Sequence, residues 1–72
     1  DPKSILQEWS QAQGYASPVY ILERENGPDH DKVFEVSVSV DGKEIAQGTG
    51  GSKQLAEKAA ASAAIRKLGL RE

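Results

Sequence analysis

The chain has 72 residues, no cysteine, one histidine and a formal net charge of −2. That length allows one small domain with a modest core. Without cysteine there is no disulfide staple or thiolate metal site, and a lone histidine argues against a His-based one. No apolar run approaches membrane length and the start is not a signal peptide, so a cytoplasmic setting is the expectation.

Asp1-Pro2 opens a helix, with Asp as cap and Pro at the first helical position. The pattern runs to about Gln13, and Gly14 suits the residue just past the end. Ile5, Leu6, Trp9 and Ala12 form its predicted apolar face, while Ser4, Gln7, Glu8 and Gln11 share another. Uncharged amides at that spacing can hydrogen-bond hydroxyls and base edges. A merely solvated polar face is the simpler reading of the same spacing.

Tyr15 to Pro18 connects to a strand over Val19–Glu25, rich in β-formers. Asn26 to Lys32 has the composition of an exposed loop, with His30 near its tip. Val33–Val40 alternates cleanly. Phe34, Val36, Val38 and Val40 should face one way, and Glu35, Ser37 and Ser39 should face water. Asp41-Gly42 is a two-residue hairpin turn leading to a third strand over Lys43–Gln47, with Ile45 pointing inward.

Gly48-Thr-Gly-Gly-Ser52 then reads as a glycine-rich turn opening into a long helix from Lys53 to Leu68, capped by Ser52. Unpaired N–H groups and the helix dipole favour an anion at that end. A lysine there is unfavourable for the helix itself and makes sense if a phosphate docks. A turn plus a packing helix with no ligand explains the glycines equally well. Ala56, Ala60, Ala61, Ala64, Ile65 and Leu68 fall on one face, and Lys58, Ser62 and Arg66 on the opposite one. Glu57 is expected at the rim, paired with Lys53. Neither a P-loop nor a dinucleotide fingerprint fits the glycine spacing.

Charge is unevenly spread. From residue 1 to 51 the bases are Lys3, Arg24, Lys32 and Lys43 against nine acids; from 52 to 67 Lys53, Lys58, Arg66 and Lys67 face only Glu57. A local basic patch governs nucleic-acid binding more than the total does. The expected architecture is α+β, in the order α-β-β-β-α, with both helices on one face of a three-stranded antiparallel sheet.

This order and these residues resemble the double-stranded RNA-binding domain, with the closest likeness to the C-terminal domain of bacterial ribonuclease III. The resemblance covers nearly the whole chain, 1–72. It rests on Asp1-Pro2-Lys3 with Leu6-Gln7-Glu8, on Pro18 and Tyr20, and on Gly27-Pro-Asp-His30 with Phe34. Gly48-x-Gly50-x-Ser52-Lys53 and Ala56-Glu57 with Ala60, Ala61 and Ala64 complete it.

The resemblance implies that Ser4, Gln7, Glu8 and Gln11 lie in one minor groove, and Pro28 and His30 in the next. Gly50, Gly51, Ser52, Lys53, Gln54 and Lys58 would then bridge the phosphates between them. It also implies a parent endoribonuclease, a homodimer through a catalytic domain that would hold any magnesium. This domain, beginning at a helix cap as a fragment would, should be monomeric, need no cofactor and carry no catalytic residue. Relatives place a second base where Gln54 stands and often Gln where Lys58 stands, which implies a weaker grip on phosphate. A domain of the same fold that mediates protein contacts is the alternative.

Overall fold

The computed structural model describes residues 1–71; Glu72, the last residue of the expected domain, lies outside them. Helix α1 spans Pro2–Ala12, strands β1, β2 and β3 span Val19–Asn26, Val33–Val40 and Lys43–Gly50, and helix α2 spans Lys53–Leu68. The strands form one antiparallel sheet in the order β1-β2-β3. The α-β-β-β-α order and the α+β class follow the expectation.

Local chemistry sets each boundary. Gln13 caps α1, and Gly14 then takes a left-handed φ of 84°. The Tyr15 N–H donates to the Ser10 carbonyl at 2.9 Å, which satisfies the last turn. Asp41 and Gly42 both have positive φ, 54° and 77°, as the tight hairpin turn requires. Gly69, at φ 71°, ends α2, and the Leu70 N–H reaches back to the Ile65 carbonyl at 2.9 Å.

The core is small and alanine-rich. Leu6, Val36, Val38, Ala46, Ala56, Ala60, Ala61 and Ala64 bury together, with Trp9, Tyr20, Phe34, Ile45 and Leu68 packed against them. α2 lies over β3 and β2, and α1 leans on α2. β1 sits beyond that cover. Its Val19, Ile21 and Leu22 are therefore exposed, and only Tyr20 turns in.

Four details differ from the expectation. β3 continues through Gly48 and Gly50, which pair with Val36 and Phe34; the glycines belong to the strand and only Gly51 and Ser52 turn. A Cβ built on Gly50 would fall 2.7 Å from the Ala56 amide nitrogen, so this glycine lets α2 lie flat on the sheet. Ala12 is exposed, and Ser10 takes the inner position, donating its hydroxyl to the Ala16 carbonyl at 2.6 Å.

Ser37 does not face water: it is 1% exposed. It stands between Ile21 and Gln47 and donates to Glu23 Oε2 at 2.7 Å. The β1 register shifts between Leu22 and Arg24, leaving Glu23 as the extra residue that folds over it. A matching shift in β3 turns Ile45 and Ala46 both toward the core.

Candidate nucleic-acid interface

α1 presents its polar face because Leu6 and Ser10 hold the opposite side down. Ser4, Gln7, Glu8 and Gln11 are exposed and line one shallow depression of about 200 Å³. The Asp1 carboxylate does not cap a backbone N–H; it accepts the Ser4 hydroxyl at 3.0 Å. Ser4 therefore offers its remaining lone pairs to a donor, while Gln7 and Gln11 offer both donor and acceptor.

A second cleft, of about 420 Å³, lies between the β1–β2 loop and the start of α2. Asp29, His30, Asp31 and Lys32 form one wall, Gly51, Ser52 and Lys53 the other, with Phe34 also lining it. The loop is tightly built. Gly27 sits at φ 97°, where a Cβ would meet the Asp31 carbonyl oxygen at 2.6 Å, and the Asp31 N–H donates to the Pro28 carbonyl at 2.9 Å. Residues Asp29–Asp31 then wind one 3-10 turn that holds His30 outward.

Of the two carboxylates flanking His30, Asp29 has a cation beside it. Lys32 Nζ bonds Glu25 Oε1 at 2.8 Å and lies 3.7 Å from Asp29 Oδ1. The Glu25 bond holds the ammonium pKa above its ordinary range. Composition hid this partner role, which the hairpin alone creates by bringing positions 25 and 32 together.

At the head of α2, the Leu55 N–H donates to Ser52 Oγ at 3.1 Å, so Ser52 is the N-cap. The Lys53 and Gln54 N–H groups precede the first intrahelical bond and are left for an outside acceptor. Ser52 can still donate its own hydroxyl proton. Gly51 has open space around it, whereas Gly50 is turned under α2.

Lys53, Gln54 and Lys58 are exposed, and among the described residues neither lysine is held in an ion pair. Glu57 does not pair with Lys53. It bonds Lys3 of α1 at 2.7 Å instead, across the contact between the two helices.

The sequence-predicted residues thus form three surface groups: Ser4, Gln7, Glu8 and Gln11 on α1; Pro28 and His30 on the loop; and Gly51, half-buried Ser52, Lys53, Gln54 and Lys58 at α2. Gly50 stands apart, beneath the helix. Among the described residues no group of three or more His, Cys, Asp or Glu could hold a metal ion, and no helix is long and apolar enough to cross a membrane.

Comparison with known proteins gives a consistent result. A family model described as double-stranded RNA binding motif matches residues 2–68. Ribonuclease 3 of Nitrobacter winogradskyi is 51% identical over 71 residues, 99% of this chain and 27% of that protein. Ribonuclease 3 of Rhodopseudomonas palustris is 51% identical over 70 residues, 97% of this chain and 26% of that protein. The chain thus spans about a quarter of these relatives.

Among solved structures, Arabidopsis HYL1 superposes with a TM-score of 0.82 at 34% identity, covering 94% of this chain and 96% of that one. The dsRBD of tRNA-dihydrouridine(20) synthase gives 0.78 at 36% identity, covering 99% and 73%.

Proposed function

The chain belongs to the double-stranded RNA binding motif family, and on that premise we propose that it binds A-form RNA duplexes largely by their shape. One observation carries the reading. A single frame presents an exposed amide face on α1 and an exposed, capped helix start with an unpaired lysine on α2. The first suits ribose 2′-hydroxyls and base edges in a shallow minor groove; the second suits phosphate. Pro28 and His30 would enter the next minor groove, giving a footprint of ~16 base pairs. The combination favours RNA over the protein-contact alternative, which needs neither feature.

The likeness to Ribonuclease 3 supports a larger role as the substrate-binding module of a ribonuclease III-like endoribonuclease. In that reading cleavage, magnesium and dimerisation belong to a catalytic domain of the parent. This domain alone is a monomer that binds without cutting, in the cytoplasm. The test is a titration with a ~20-base-pair RNA duplex and a DNA duplex of the same sequence. Tighter RNA binding, with no RNA cleavage in magnesium, is the expected result; equal affinity would refute the RNA reading.

A further inference from the structure

Glu57 stands between the exposed Lys53 and Lys58 of α2 in sequence, yet its side chain is only 16% exposed and bonds Lys3 Nζ at 2.7 Å. Lys3 neighbours Ser4, at the head of the polar face of α1. The pair therefore ties the helix bearing the amide face to the helix bearing the phosphate-facing lysines. The same ammonium lies 4.9 Å from the centre of the Tyr20 ring, so α1, β1 and α2 meet at one point.

Most of the face that α2 buries is alanine, with Leu6 and Trp9 of α1 packed into the same core. The buried positions of α2 are Ala56, Ala60, Ala61, Ala64 and Ile65. Alanine surfaces set how close two helices lie, but offer few ridges to stop one sliding or rotating on the other. A charge-assisted hydrogen bond has a required distance and direction. It also spends both charges: Lys3 is no longer a free phosphate ligand, and Glu57 no longer opposes an anion beside Lys53 and Lys58.

We propose that Lys3 and Glu57 are positioning residues, whose ion pair sets the register of α1 against α2 and so the spacing between the minor-groove face and the phosphate face. The proposal rests on the RNA-binding reading above. Neither residue touches RNA; they act through Ser4, Gln7 and Gln11 on one helix and Lys53 on the other.

The experiment compares Lys3→Met, Glu57→Gln, the double variant and Lys3→Arg with the unmutated chain. It measures melting temperature, affinity for duplex RNA at several salt concentrations, and the RNA-over-DNA ratio. Each single neutral variant should lose about ten-fold in RNA affinity when fully folded, as residues coupled through direct contact do. The double variant should be no worse than either single one, and the RNA-over-DNA ratio should narrow. The salt slope should stay unchanged, and Lys3→Arg should keep most of the affinity.

Two results would overturn the proposal while leaving the RNA reading intact. A fall in melting temperature with unchanged RNA affinity would make the pair a stabiliser only. A flatter salt slope in Lys3→Met with a steeper one in Glu57→Gln would make Lys3 a direct phosphate ligand. No RNA preference in the unmutated chain would overturn the RNA reading itself, and this proposal with it.

Discussion

Gly48 of β3 faces Ala60 of α2 backbone to backbone. A Cβ built on Gly48 would overlap the Ala60 amide nitrogen and lie 2.5 Å from the Ala59 carbonyl carbon. Neither neighbour is the movable end of a side chain, so the whole helix would have to rise. Gly48→Ala should therefore cost ~3 kcal/mol or more, a large share of what a small domain has. Gly51→Ala should stay within ~0.5 kcal/mol, because nothing lies near it and its φ is not left-handed. Thermal melts of the two variants check this, and similar losses in both would place the close approach elsewhere.

Tyr20 gives a pH prediction. Burial first, and the negative charge of Glu57 second, push its phenol from the ordinary 10.0 up to about 12. Above pH 10 the unfolded chain gives up a proton that the folded chain keeps. Stability from this group is complete below pH 10 and falls as pH rises toward 12, by at most ~1.4 kcal/mol per pH unit. The hydroxyl is also buried with no hydrogen-bond partner among the described residues. Tyr20→Phe should thus gain ~1 kcal/mol at neutral pH and lose less at alkaline pH than the unmutated chain. Denaturant unfolding at neutral and alkaline pH measures both. A destabilised variant would mean that the hydroxyl has a partner.

Much of this was legible in the sequence, where one periodicity dominated. The Val33–Val40 strand with Val36, Val38 and Val40 buried, the Asp41-Gly42 turn, the Ser52 cap and the alanine face of α2 all appear where local pattern placed them. What stayed hidden was decided between elements. Two bulges buried Ser37 and turned Ala46 inward, and no local signal marks a bulge whose cause lies on the neighbouring strand. Gly48 and Gly50 looked like a turn for a ligand, because sequence alone cannot tell close approach of a ligand from close approach of a helix. Glu57 went to Lys3 instead of Lys53, since a partner 54 positions away competes unseen with one four positions away. For the interface, residue types and spacing suggested the faces on α1 and α2, but not the pairing of Lys32 with Glu25 and Asp29.

Gln54 is exposed one residue beyond Lys53, on the open mouth of α2. Gln54→Lys should tighten RNA binding and steepen the dependence of log affinity on log salt by somewhat under ~1 unit, the effect of one added phosphate contact. Filter binding across a salt series reads the slope directly. An unchanged slope would mean that position 54 does not reach the backbone.

The most direct test of the central claim separates the two faces by their physics. Lys53 is a charge for phosphate; Gln7 is a neutral hydrogen-bonding group for a groove. Salt series with RNA and DNA duplexes should be run on Lys53→Ala and Gln7→Ala, each first shown to be folded. Lys53→Ala should weaken every duplex alike and flatten the salt slope, because fewer counterions are released. Gln7→Ala should cost on the order of 1 kcal/mol, leave the slope unchanged and narrow the preference for RNA. Reversed slopes, or no effect from either substitution, would contradict the placement of α1 in a minor groove and α2 on the phosphates.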